Sequence, residues 1–165
     1  MRNAFRVSAA AQVVLGLDIG TTSAKAVAFA PDGSALADAD AGYPLHEPGP
    51  GRAEQDPGQV IDAAVRVLRD AAAAARDRGA EIAGVSISTA MHALVGAGRD
   101  GRAITPVVTW ADTRAADQAE RLRSEHPDLH GRTGTPAHPM APLPKLMWFR
   151  EQEPDTFGAV ARWGG

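Results

Sequence analysis

The sequence has no cysteine in its 165 residues. Disulfides, thiolate metal sites and a cysteine nucleophile are therefore excluded, and an intracellular location is compatible with that usage. No apolar run approaches the roughly 18 to 20 residues of a membrane span. Residues Met1 to Gln12 carry two arginines and an alanine-rich end but no continuous apolar core of a signal peptide, so they read as a disordered N-terminal extension. Basic clusters are also missing. With Lys+Arg 17 against Asp+Glu 20, the formal charge is −3, and no stripe of lysine and arginine suits nucleic acid or an anionic membrane. A small-molecule ligand is the expectation. Aromatic residues are scarce at 5%, while alanine, glycine and proline abound, a compositional bias without an internal repeat. The length suffices for one domain with a real core and is equally compatible with part of something larger.

What the chain does have is a patterned opening. The apolar run Val13-Val14-Leu15-Gly16-Leu17 leads into Asp18-Ile19-Gly20-Thr21-Thr22-Ser23-Ala24-Lys25, and Ala26 to Ala30 follows as a second β-like run. Two strands flanking a Gly/Thr/Ser turn predict a hairpin. Its tip offers hydroxyls, backbone N–H groups and one carboxylate, which suits a phosphate: Gly20 permits close approach, successive N–H groups can form an anion-binding concavity, and Asp18 can hold Mg²⁺ through water. An ordinary polar turn has the same composition.

Pro31-Asp32-Gly33-Ser34 signals a turn, and Ala35 to Tyr43 predicts a third, edge-like strand. Pro44 to Asp56 is too rich in proline and glycine for regular structure and reads as a loop. Asp56 at the N-cap, Pro57 at the first helical position and Gln59 three residues after the cap predict a helix start. Val60, Ile61, Ala64, Val67, Leu68, Ala71 and Ala75 keep the spacing of a buried face, and Gly79 stops the helix. Glu81 to Ser88 alternates as a strand and runs into Thr89-Ala90-Met91-His92. Further strands are expected over Ala93 to Ala97 and Ile104 to Trp110, joined by a turn at Arg99-Asp100-Gly101-Arg102. A helix over Ala115 to Glu125, burying Ala116, Ala119 and Leu122, stops before Pro127. Gly131 to Pro142 reads as broken, and a last helix spans about Leu143 to Arg150. The alternation predicts an α/β or α+β class with a mixed sheet.

Three antiparallel strands opened by Asp-x-Gly-Thr-Thr, then a helix, then further strands, resemble the ribonuclease H-like actin/sugar-kinase fold. Within that fold, the stretch from about Val13 to Arg150 resembles the N-terminal domain of FGGY-family carbohydrate kinases. Asp18 to Lys25 is similar to the family's first phosphate motif, Thr89-Ala90-Met91-His92 to the strand end that meets the sugar, and Trp110-Ala111-Asp112-Thr113-Arg114 to its Trp-x-Asp-x-Arg. The run from Arg132 to Leu146 is most similar to the gluconokinase branch, with xylulokinase next.

The resemblance implies an ATP-dependent kinase acting with Mg²⁺ on a hydroxyl of a sugar or sugar acid, first of all gluconate, in the cytoplasm. It assigns Asp18 to the metal and Gly20, Thr21 and Thr22 to the phosphates, with Lys25 a charge near them. Met91, His92, Trp110, Asp112 and Met140 would bind the sugar, His138 falling near Met140. Each has a plainer alternative: Lys25 facing solvent, His92 and Trp110 packed, Asp112 and Arg114 capping a helix or pairing with each other. His46, His126 and His130 fall in loops or at a helix end, without zinc spacing. The family's catalytic base belongs to a Gly-rich segment downstream of these motifs, so no catalytic residue is expected within the chain. The chain is expected to be the incomplete N-terminal domain (13–165), inactive alone, without the C-terminal ATP-binding domain. It would be marginally stable because apolar faces are exposed. A homodimer of the full-length protein stays open. Rival readings are a non-catalytic nucleotide-binding relative and a ribonuclease H-like nuclease, the latter needing more carboxylates than Asp18 and Glu81.

Overall fold

The computed structural model describes residues 11–165. In chain order the elements are β1 (Ala11–Ile19), β2 (Ser23–Phe29), β3 (Ala35–Gly42), β4 (Glu54–Gln55), α1 (Pro57–Asp77), β5 (Ala80–Thr89), β6 (Val95–Ala97) and β7 (Val107–Val108). They continue as α2 (Ala116–Glu125), α3 (Leu129–Thr133), α4 (Pro142–Gln152), α5 (Pro154–Ala159) and β8 (Arg162–Gly164). Two units result, one from the described part of residues 1–42 with 62–89, the other from 43–61 with 90–165.

The first unit is a four-stranded mixed sheet in the order β3-β2-β1-β5. β1, β2 and β3 pair antiparallel as expected, and β5 joins β1 in parallel. Parallel strands need a long crossover, and α1 lies within it. Period-two alternation puts Val13, Leu15 and Leu17 of β1, Ala24, Ala26 and Ala28 of β2, and Ala37 and Ala41 of β3 in the interior. Register aligns Leu15 with Ala28, Leu17 with Ala26, and Ala28 with Ala37. β1 begins at Ala11, so Ala11 and Gln12 belong to the sheet and not to the extension expected over residues 1–12. The rest of that extension lies outside the described residues. An irregularity after Val13 leaves Ala83 without a partner, and Val85 and Ile87 then align with Leu15 and Leu17. Leu15 and Leu17 are buried, whereas Ile87 is 64% exposed and Val85 is also exposed.

α1 starts where the cap predicts: Asp56 Oδ1 accepts from the backbone N–H of Gly58 at 2.7 Å and of Gln59 at 3.1 Å. It ends before Gly79, whose φ is +78°. Its buried stripe is Ala63, Ala64, Val67, Ala71, Ala72 and Ala75. Ile61, expected inside, is exposed, and Val60 and Leu68 are half-buried.

In the second unit the strands are shorter than expected. β4 pairs antiparallel with β7, and His46 bridges Glu54, so the proline-rich loop of 44–56 does contain a strand. The strand expected over Ile104 to Trp110 shrinks to β7, because Pro106 has no N–H and the N–H groups of Ile104 and Thr105 both go to the Gly96 carbonyl. β6 pairs with β8, and a Leu94–Val108 bridge carries the chain toward it. α2 forms as predicted, with Gln118 in place of Ala116 on its buried side. α3 and α5 fall where no helix was expected. Leu94, Val108 and Phe149 form the centre of this unit, with Leu146, Trp148, Phe157 and Trp163 packed against them.

Candidate functional site

The hairpin tip forms as expected from Gly20, Thr21 and Thr22 between β1 and β2. The Gly20 N–H donates to the Ser23 carbonyl at 2.9 Å, closing the turn from inside. That N–H is spent on the turn itself, and the absence of a side chain at Gly20 keeps the turn tight: a Cβ there would stand 3.3 Å from Ser23 O. Asp18 and Lys25 are register partners, both exposed, which puts opposite charges side by side on one face of the hairpin. Thr22 is exposed beside them. No group of three His, Cys, Asp or Glu among the described residues could hold a metal. A lone carboxylate such as Asp18 suits only an ion that takes most of its ligands from water and phosphate oxygens, which is the habit of Mg²⁺.

In the second unit, Met91, His92, Trp110 and Met140 come together with Ala90 around a cavity of about 310 Å³. Met91 is 73% exposed and Trp110 50%. Two large apolar side chains held in the open beside one imidazole make a surface able to stack on a sugar's C–H face and to reach its hydroxyls. His92 is the one non-glycine described with positive φ, at +64°. A left-handed backbone is sparsely populated for a residue with a Cβ, and such positions cluster where a side chain must be aimed. His138 does not line the cavity; its Nδ1 accepts the Met140 N–H at 3.2 Å and so steadies Met140.

Asp112, expected at the substrate, sits elsewhere. It is fully buried, and its oxygens accept from the Ala53 N–H at 2.8 Å, the Arg114 N–H at 3.1 Å, and Arg114 Nε and Nη2 at 2.7 to 3.0 Å. Arg114 also pairs with Glu54 and lies 5.0 Å over the Trp148 ring. Burial works against the guanidinium charge, and hydrogen bonds and charges from Asp112 and Glu54 outweigh it, holding Arg114 above its ordinary value. Gly51, at φ +70°, accepts the Thr113 N–H at 2.8 Å, and a Cβ there would come within 2.8 Å of Thr113 Oγ1. Asp112 and Arg114 thus staple the 44–56 loop to the segment carrying Trp110. The pairing alternative for these two residues is the one realised.

One residue was not foreseen. The Lys145 side chain is fully buried, and its ammonium donates to the carbonyls of His92 at 2.7 Å and Thr109 at 2.8 Å. Burial pushes its pKa down to about 8, Asp112 opposing that shift and Arg114 adding to it. The signal was present in Leu143-Pro144-Lys145-Leu146-Met147-Trp148-Phe149, where a single cation stands in an apolar helical run.

Among the described residues no helix is long and apolar enough to cross a membrane. The model of the FGGY family of carbohydrate kinases, N-terminal domain, matches residues 13–165. A gluconokinase of Bacillus subtilis is 34% identical over 155 residues, covering 92% of this chain and 30% of that protein. A xylulose kinase of the same organism is 29% identical over 149 residues, covering 90% and 30%. Among solved structures, a gluconate kinase from Lactobacillus acidophilus is similar with a TM-score of 0.87 at 33% identity, over 94% of this chain and 31% of that one. The chain therefore spans about 30% of the length of the relatives it matches. With its mixed sheet of three antiparallel strands and one parallel strand, and a family match over nearly its whole length, the chain belongs to the FGGY carbohydrate kinases and corresponds to their N-terminal domain.

Proposed function

We propose that the chain is the sugar- and phosphate-binding part of a cytoplasmic ATP-dependent kinase that phosphorylates a hydroxyl of an open-chain sugar acid, D-gluconate being favoured. The observation that carries this reading is the cavity bounded by Met91, His92, Trp110 and Met140. Trp110 and the two methionines would cover the substrate's carbon chain, and His92 would engage a hydroxyl or the carboxylate. The hairpin's Thr21, Thr22 and Lys25 would contact the nucleotide phosphates, and Asp18 would hold Mg²⁺ through water. When bound, that ion neutralises charge on the transferring phosphoryl group. Phosphoryl transfer asks the protein mainly for positioning, and both regions supply groups of that kind.

The gluconate preference draws on the similarity to gluconokinases; a pentulose substrate is the second reading, favoured by the similarity to xylulose kinases. A substrate panel with the longer kinase that this reading implies separates them. His92→Ala should raise the KM for the sugar at least tenfold, and Asp18→Ala should depress kcat. An unchanged sugar KM and kcat in His92→Ala overturns the sugar site. The 165-residue chain alone should release no ADP with gluconate and ATP; turnover by that chain overturns its incompleteness as a catalyst.

A further inference from the structure

We propose that Lys145 is the positioning residue of the sugar cavity, clamping two of its walls through backbone carbonyls. This rests on the sugar-site reading above. The cavity's side chains come from three separate segments, Ala90 to His92, Trp110 and Met140, and Lys145 engages the first two through the backbone. Lys145 reaches the carbonyl of His92 on one segment and that of Thr109, adjacent to Trp110, on the other, across 53 and 36 residues of sequence. One ammonium thus fixes the separation of these two segments.

The His92 contact carries a second consequence. A histidine at φ +64° occupies a backbone conformation that its Cβ disfavours, and it persists only where surrounding contacts over-determine it. The Lys145 bond to the His92 carbonyl is such a contact, and it acts on the peptide plane that follows His92. The adjacent ladder helps, since Leu94 and Val108 exchange both backbone hydrogen bonds at 2.8 and 2.9 Å. That ladder holds residues 94 and 108, and Thr109 is further held by its N–H and hydroxyl, both donating to the Ala53 carbonyl at 3.0 Å, while Lys145 engages the carbonyls of His92 and Thr109 themselves. The Thr109 carbonyl also accepts the Asp112 N–H at 3.2 Å, which ties the clamp to the loop that follows Trp110.

A fully buried lysine is costly unless its hydrogen bonds are made. Two donors spent on the carbonyls beside His92 and Trp110 give that cost a function in geometry, whereas the same helix position filled by leucine or methionine would serve packing alone. Lys145 touches no cavity surface itself and acts only through the residues it holds.

The test uses the 165-residue chain and Lys145→Met, which keeps length and volume and removes the donors, with Lys145→Arg as the conservative variant. In the wild type, the strong intraresidue amide-to-Hα NOE of a left-handed residue should appear at His92. Lys145→Met should lose that NOE and weaken D-gluconate binding, read by saturation-transfer NMR, at least tenfold. Its far-ultraviolet circular dichroism should stay that of the wild type. Lys145→Arg should recover part of both. An intact His92 NOE in Lys145→Met, or equal losses of binding in Met and Arg variants with the NOE retained, overturns the clamp. If Lys145→Met does not fold, the wild type still decides: absence of the left-handed signature at His92, or rapid solvent exchange of the Lys145 ammonium protons, overturns it. Failure of the wild type to bind any sugar or sugar acid with the NOE pattern intact instead overturns the sugar-site reading and leaves the clamp standing.

Discussion

The hairpin of 18–25 and the cavity around His92 are both candidate ligand sites, yet they are built in opposite ways. The hairpin is local: a three-residue tip between paired strands, its charged groups exposed, its turn closed by a backbone bond from the Gly20 N–H to the Ser23 carbonyl. The cavity is assembled from segments far apart in sequence and rests on buried charge, with Asp112, Arg114 and Glu54 on one side and Lys145 beneath. Side chains at the first site can change with little effect on the fold. At the second, the supporting side chains are the fold.

The largest expected effect follows from breaking that support. Asp112→Ala leaves a buried guanidinium with Glu54 alone and strips the Ala53 N–H of its acceptor, which should cost about 3–5 kcal/mol in urea unfolding. A loss below about 1 kcal/mol would erase the distinction between the two sites. Next is the pH dependence of Lys145. Its folded pKa of about 8 lies below its ordinary 10.5, so between those values the unfolded chain binds more protons than the folded one. Stability from this group should therefore rise with pH from about 8 to 10.5, by up to about 3 kcal/mol, and stay flat below 8. The difference between wild type and Lys145→Met across that window measures it; parallel curves contradict it.

Smaller effects are expected in the first unit. Ile87→Ser, at a position already 64% exposed, should lower binding of an apolar-surface dye while changing stability by less than about 0.5 kcal/mol. Unchanged dye fluorescence would remove the exposed β5 face as its source. Smallest is Asp18→Asn, which should leave the thermal midpoint within about 1 °C, since surface substitutions stay within ±0.5 kcal/mol. A drop of many degrees would make that carboxylate a structural group like Asp112.

The same contrast governs what could be read in advance. β1, β2, β3 and the start of α1 follow from alternation, a glycine turn and the Asp56 cap, all signals carried within a few residues. The buried stripe of α1 was harder: across Ala71 to Ala75 every side chain is alanine, so periodicity has nothing to distinguish, and the seam includes Ala63 and Ala72 while Ile61 stays outside. β4 was hidden because its partner β7 is far away in sequence, Glu54 pairing with Val108, 54 residues on, and Gln55 with Val107, 52 residues on. The resemblance named Met91, His92, Trp110 and Met140 together and the structure brings them around one cavity, whereas the buried carboxylate of Asp112 is bonded to Ala53, 59 residues away. Lys145 was visible as an odd cation in an apolar helix, but its carbonyl partners were not.

The cavity's identity as a sugar site is tested most directly by titrating D-gluconate into the chain and following the indole N–H resonances of its three tryptophans. Trp110 alone should shift, with saturation, while Trp148 and Trp163, packed around Phe149, stay put. No saturable shift of Trp110 with gluconate, xylulose or another open-chain sugar would contradict the account.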